Sequence, residues 1–206
     1  MKSTLGAITV DEDNVVYYVT TAHNGVGIGN RFEVQNYDEE AGAVTYYDLG
    51  IVEDLEIGDQ KKCDIAIIRQ YDISEVVPIS ESQNGLDVIE YRSDELKKGA
   101  TGIIDGHLNQ PLVVVRNPRK DIEWLPQSGG SMVFKDMIEL EELVYKTDEG
   151  DSGGAFLIDE FSDIDGTVID YFIGGIYKGR KTSTNRLIAT RWDSVVDRFG
   201  IDYKEF

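Results

Sequence analysis

Residues 149–155 read Glu149-Gly150-Asp151-Ser152-Gly153-Gly154-Ala155. One glycine before the serine and two after it permit a tight turn with backbone angles that other residues avoid. Such a turn exposes the serine Oγ and aims successive backbone N–H groups into one concavity. A concavity of that kind suits the negative charge that develops on oxygen in acyl transfer. The same string also suits a glycine-rich hairpin turn, so the residues around it have to decide.

Two upstream segments bear on the choice. Thr20-Thr21-Ala22-His23-Asn24 places a histidine directly after an apolar strand and before the loop Gly25-Val26-Gly27-Ile28-Gly29. A strand end is a rigid platform for a general base, which must stay within hydrogen-bond reach of its nucleophile. Cys63-Asp64-Ile65-Ala66-Ile67-Ile68 places an aspartate where the chain enters an apolar run. A carboxylate there is positioned to hold an imidazole in one tautomer. Taken singly, the histidine fits a surface loop and the aspartate a strand start. Together the three stand in the order His, Asp, Ser at gaps of 41 and 88 residues, which leaves room to bring them to one cleft.

Around these segments the chain reads as short β-branched and aromatic runs punctuated by Gly, Asn and Asp. The pattern predicts strands at Thr4–Val10, Val15–Thr21, Arg31–Tyr37, Ala43–Val52 and Asp64–Arg69. It predicts six more at Ala100–Ile104, Leu112–Arg116, Met132–Phe134, Ala155–Ile158, Val168–Tyr177 and Leu187–Thr190. Trp192, Val195, Val196 and Phe199 fall on one helical face, with Thr190 as the expected N-cap and Gly200 as the stop. The fold class is all-β, with antiparallel barrels or sandwiches closed by one C-terminal helix. The polar stretch Ser80–Gly99 is the expected connection between two halves.

The three motifs resemble those of trypsin/chymotrypsin-like serine proteases. Thr20-Thr21-Ala22-His23 is similar to their histidine motif, Asp64-Ile65-Ala66-Ile67-Ile68 to their aspartate motif, and Gly150-Asp151-Ser152-Gly153-Gly154 matches their nucleophile motif letter for letter. The opening strand pair and the closing Trp192-Asp193-Ser194-Val195-Val196-Asp197-Arg198-Phe199 also fit. The resemblance implies a serine endopeptidase acting on a protein or peptide through an acyl-enzyme. It implies two six-stranded antiparallel β-barrels: residues 1–80 carrying His23 and Asp64, a connection over 81–99, residues 100–190 carrying Ser152, and a helix and tail over 191–206. Ser152 would be the nucleophile, His23 the general base and then acid, and Asp64 the residue that orients His23. The backbone N–H groups of Gly150 and Ser152 would form the oxyanion hole. The alternative is a protease-like domain that binds a partner without cleaving it, or that opens only on a signal. The chain lacks the Ile-Val-Gly-Gly type of N-terminus that pairs with the aspartate before the serine. Asp151 is therefore expected to be held by local backbone N–H groups or a nearby basic residue.

The residues before the serine and the strand Gly174–Gly179 would line the primary pocket, with Lys146, Thr147, Ile176, Tyr177 and Lys178 as candidate lining. No acidic residue stands six positions before Ser152, so a preference for Lys or Arg is not expected. Lys146, Lys178, Arg180 and Lys181 instead raise the expectation of a basic pocket that takes a carboxylate side chain. The competing expectation is an apolar slot shaped by Ile176 and Tyr177.

Composition bounds the rest. The 206 residues suffice for one large domain or two small ones, and 41% hydrophobic with 29% charged residues is ordinary globular composition. A net charge of −19 argues against nucleic acid or an anionic membrane as partner. The single cysteine, Cys63, rules out an internal disulfide, and the opening MKSTLGAITVDED has no apolar signal segment. Both lead to the expectation of a cytoplasmic protein. No cofactor or metal is expected. Gly25-x-Gly27-x-Gly29 leads into a strand and not a helix, which does not fit a dinucleotide loop. Asp163-x-Asp165-Gly166 lacks the first ligand of a calcium loop, since Phe161 stands there. His107 has no cysteine or histidine near it in sequence.

Overall fold

The structure is a computed structural model and describes residues 4–11, 13, 15–38, 43–71, 88–89, 96–106, 110–125, 131–148, 151–161 and 165–203. The expected strands all form. The first half gives β1 (Ala7–Val10), β2 (Val16–Thr20), β3 (Arg31–Asp38), β4 (Ala43–Glu56) and β5 (Ile65–Gln70). The second gives β6 (Val88–Ile89), β7 (Thr101–Asp105), β8 (Leu112–Trp124), β9 (Met132–Val144), β10 (Ala155–Phe161), β11 (Val168–Lys181) and β12 (Arg186–Arg191). Helix α1 (Trp192–Phe199) and β13 (Asp202–Tyr203) complete the chain.

These strands make two sheets. The first runs β13-β1-β2-β5-β4-β3 and the second β10-β7-β8-β9-β12-β11-β6. Every pairing is antiparallel except that of β6 with β11. In the second sheet β10 also pairs with β11, so six strands pair in a cycle.

The central strands are apolar without alternation because both of their faces are buried. In β5, Ile65 and Ile67 enter one core cluster, and Ala66 and Ile68 enter another. Along β10, Ala155 and Leu157 join the first of these clusters, while Phe156 and Ile158 pack inside the second sheet. The shared cluster therefore takes residues from both sheets, together with Trp192 and Val195 of α1. Side chains at successive strand positions face opposite ways, so each of these strands serves two cores at once.

The C-terminal segment ties the sheets together. Helix α1 leaves β12 of the second sheet, ends at Gly200 with a left-handed φ of 65° and a 2.9 Å bond from Gly200 N–H to Val196 O, and β13 then pairs with β1 of the first sheet. Its N-cap is Arg191, not the expected Thr190. Thr190 stays in β12, where its buried hydroxyl accepts the Asp64 N–H at 3.3 Å.

Two strands run well beyond the sequence expectation. β8 continues past Pro118, which a central strand ordinarily excludes. Register shifts between Val115 and Asn117 and between Asn117 and Lys120 accommodate it. β9 continues through Asp136 at φ 57°. The far end of the β8–β9 hairpin carries Trp124 and Phe134, which pack in a cluster with Ile122, Met137 and Ile188. The loop before Asp64 is pinned to this hairpin by Gln60 N–H to Val133 O at 2.7 Å and Lys135 N–H to Lys61 O at 2.8 Å.

Most of the 81–99 connection, along with His107 and Asp163, lies outside the described residues. No described helix is long and apolar enough to cross a membrane.

Cys63 is fully buried and its Sγ lies 3.3 Å from Ser194 O of α1. Burial, reinforced by Glu56, pushes its thiol up to about 12. A thiol that is both buried and protonated reacts slowly. Iodoacetamide is expected to leave the native chain unlabelled and to label it fully in denaturant, with no shift of thermal midpoint on adding reductant. Labelling of the native chain at neutral pH would contradict this burial.

Candidate active site

His23 sits in a single 3-10 turn, Ala22–Asn24, directly after β2. Gly25 ends the turn at φ 80°, and Asn24 Nδ2 donates to Thr21 Oγ1 at 2.7 Å. The turn thus holds the ring at the strand end. Asp64 lies one residue before β5 and is completely buried. Its two oxygens divide the work: Oδ1 accepts the His23 backbone N–H at 2.9 Å, and Oδ2 faces His23 Nδ1 at 2.7 Å. An ionised carboxylate only accepts hydrogen bonds. Nδ1 is therefore the protonated nitrogen, which leaves the Nε2 lone pair free to take a proton.

A third group reaches Asp64. Lys178 Nζ pairs with Oδ2, and both side chains are shut off from water. Burial alone would raise the Asp64 carboxyl, but the Lys178 charge and the His23 hydrogen bond outweigh it and hold the carboxyl below its ordinary range. Burial likewise pushes the Lys178 ammonium down from its ordinary value, and Asp64 pulls it part of the way back. The pair is a buried carboxylate and ammonium that match one another.

Ser152 occupies the turn the sequence predicts. Asp151 N–H reaches Asp148 O at 3.3 Å, Gly154 N–H reaches Asp151 O at 2.9 Å, and Gly153 takes φ 102°. Gly153 N–H and Tyr177 O, and Tyr177 N–H and Gly154 O, each at 2.8 Å, clamp the turn to β11. Asp151 is buried, and its carboxylate accepts the Asp148 backbone N–H at 2.6 Å. Ser152 Oγ donates to Lys178 O at 2.8 Å. Gly150 lies outside the described residues.

One residue therefore joins the three sequence-predicted positions: Lys178 meets Asp64, the partner of His23, through its side chain and Ser152 through its carbonyl. A β-bulge makes this possible. Tyr177 pairs with Ala189 and Gly179 with Ile188, so Lys178 is the extra residue between them. A bulged residue is left out of the ladder and its side chain is re-aimed.

The candidate pocket residues are placed differently from one another. Lys146 is exposed and Thr147 is half-buried, while Ile176 and Tyr177 are buried. Thr147 Oγ1 is the hub of a polar cluster: Tyr177 Oη donates to it at 3.0 Å, Arg180 Nη2 at 2.9 Å, and it meets Glu142 Oε1 at 3.1 Å. Arg180 also pairs with Glu142, whose carboxyl burial would raise but Arg180 and Thr147 hold low. Two of the cations behind the basic-pocket expectation are thus matched by carboxylates, Lys178 by Asp64 and Arg180 by Glu142. Among the described residues there is no group of three or more His, Cys, Asp or Glu side chains that could hold a metal ion.

Sequence reasoning missed Trp124 and Phe134, whose rings lie 4.7 Å and 4.3 Å from Lys178 Nζ. It also missed the N-terminal segment. Thr4 N–H bonds Ser152 O at 3.0 Å, and Thr20 Oγ1 fixes Thr4 O at 2.8 Å. Gly6 lies so close to the nucleophile turn that a Cβ there would overlap the Gly153 carbonyl oxygen and sit 2.6 Å from Ile176 Cδ1. Gly6→Ala must displace backbone, so it is expected to destabilise the chain by about 1–3 kcal/mol in urea unfolding. An unchanged midpoint would mean that the segment does not rest on the turn.

No protein-family model matches the chain, and no curated protein matches it in sequence. Solved structures do match. A Nocardiopsis protease is 14% identical with a TM-score of 0.61, over 97% of this chain and 91% of that one. Protease A of Thermobifida fusca is 14% identical with a TM-score of 0.61, over 98% and 90%. A glutamic acid-specific serine protease described as using a histidine triad in substrate binding is 16% identical with a TM-score of 0.59, over 96% and 91%. At these identities the likeness is one of fold: the chain is all-β, with two sheets and a C-terminal helix, and shares the architecture of chymotrypsin-fold bacterial serine proteases.

Proposed function

We propose that the chain is a serine endopeptidase, built as two β-barrels over residues 1–80 and 100–190, with His23, Asp64 and Ser152 as a triad in the cleft between them. The observation that carries this reading is the bond from His23 Nδ1 to the buried Asp64 carboxylate at 2.7 Å, with Lys178 joining that pair to the Ser152 turn. The fold shared with serine proteases supports it.

The chemistry follows from the protonation pattern. With Nδ1 committed to Asp64, His23 Nε2 takes the Ser152 proton as Oγ attacks the scissile carbonyl carbon. The carbonyl oxygen gains negative charge, which the N–H groups of Ser152 and Gly150 stabilise. The imidazolium then gives its proton to the leaving amine, and the acyl group stays on Oγ until water, activated by the same nitrogen, releases it. Asp64 keeps its charge throughout and favours the transient imidazolium. A hydroxyl has one proton, and in this structure Ser152 gives it to Lys178 O, so attack requires a rotation about the Cβ–Oγ bond. The second reading is a protease-like domain that binds a partner without cleaving it, or whose site opens only on a signal.

The substrate is a protein or peptide. With Lys178 and Arg180 matched by carboxylates, the primary pocket would be shaped by Ile176, Tyr177 and Thr147 and would select an uncharged side chain before the cut. A peptide library varied at that position is expected to show preference for Phe, Leu or Met with little salt dependence. Preference for Glu or Asp, weakened by salt or by Lys146→Ala, would restore the basic pocket.

A fluorophosphonate probe tests the main reading. The wild-type chain is expected to label at Ser152, and Ser152→Ala is expected not to label. Ser152→Ala or His23→Ala should lower kcat on the order of 10⁶-fold and Asp64→Asn on the order of 10⁴-fold. A wild-type chain that stays unlabelled would support the conditional reading, and peptide cleavage that survives Ser152→Ala would overturn the assignment.

A further inference from the structure

We propose that Lys178 is a positioning residue of the triad: its buried ammonium fixes the Asp64 carboxylate and sets how strongly that carboxylate favours a protonated His23. The inference rests on reading His23, Asp64 and Ser152 as a triad.

The geometry points one way. Asp64 Oδ2 accepts from both His23 Nδ1 and Lys178 Nζ, so the carboxylate shares its charge between two donors. Among the described residues the largest charge effects on Asp64 come from Lys178 and His23, and the largest on Lys178 comes from Asp64. Trp124 of β8 and Phe134 of β9 cover the ammonium with uncharged rings, and Thr190 of β12 offers only a hydroxyl, to the Asp64 N–H. Between such walls charges interact far more strongly than in water. A carboxylate facing His23 alone would draw a proton onto the ring. With Lys178 beside it the ammonium opposes that pull, since both donors share one carboxylate oxygen. The bulge at Lys178 and the two rings over its Nζ hold a lysine in the strand position next to Ser152.

The test reads His23 directly. The chain has two histidines, so His107→Gln leaves one imidazole to follow by NMR, and Ser152→Ala removes any self-cleavage. In that background Lys178→Gln keeps a donor of similar length but no charge. The His23 midpoint is expected to rise by about one pH unit, and Lys178→Arg is expected to bring it most of the way back. In the active enzyme the acid limb of kcat/KM should move up with it, costing about tenfold in activity at a pH one unit below the wild-type limb. A midpoint unmoved in a Lys178→Gln chain with a native-like amide spectrum would overturn the proposal. Should Lys178→Gln fail to fold, the Lys178 side-chain resonance of the parent decides. It must shift as His23 titrates, at the same midpoint, and a resonance blind to that titration overturns the proposal. Neither spectrum depends on hydrolysis. A chain that never labels with fluorophosphonate yet shows the coupled titration would fail as a protease while keeping this electrostatic link.

Discussion

A carboxylate buried without any contact with water organises this molecule. Asp64 loses its hydration entirely, and an unpaired charge in that position would be prohibitive. It is offset by two N–H donors of His23 and by the Lys178 ammonium. The three donors come from two separate parts of the chain: the turn after β2 and the bulge in β11. Satisfying one buried charge therefore fixes the placement of one sheet against the other. The cost of breaking a pair of this kind, about 3–5 kcal/mol, is a large part of the stability of an ordinary domain.

The surrounding fold keeps those donors in place. Strands β2, β5, β10 and β11 bury both faces, so the shared core and the core of each sheet lock one another. Helix α1 adds Trp192 and Val195 to the shared core, and β13 returns to β1. The β8–β9 hairpin extends over the site, and Trp124 and Phe134 close the ammonium off from solvent. From the other side Thr4 and Gly6 press on the Ser152 turn. Side chains held by rigid strands and by a supporting layer of contacts keep the small tolerances that the proposed acyl transfer would demand.

Much of this was legible in the residues, and what was not has physical causes. Central strands were visible because two-sided burial leaves uninterrupted apolar runs such as Ile65–Ile68 and Ala155–Ile158. The full lengths of β8 and β9 were hidden by Pro118, Lys120 and Asp136, residues that strands accept only with bulges or unusual φ. Thr190 looked like a helix cap until its hydroxyl was needed at Asp64. Lys178 was readable as a charge in an apolar strand but not as a partner of Asp64, 114 residues away. Its direction depends on a one-residue bulge, and alternation along β11 gives no warning of that. The two-residue strands β6 and β13 carry too few side chains to make a pattern. Of the oxyanion hole, the sequence offered both Gly150 and Ser152, and the described residues include only Ser152.

The central claim is that Ser152 becomes acylated with His23 as its base. Pre-steady-state hydrolysis of a p-nitrophenyl ester measures this most directly. A burst of nitrophenol close to one equivalent per chain is expected, with the acyl mass on the peptide containing Ser152 and the burst lost in both Ser152→Ala and His23→Ala. Release that is linear from the first turnover and indifferent to either substitution would contradict the account.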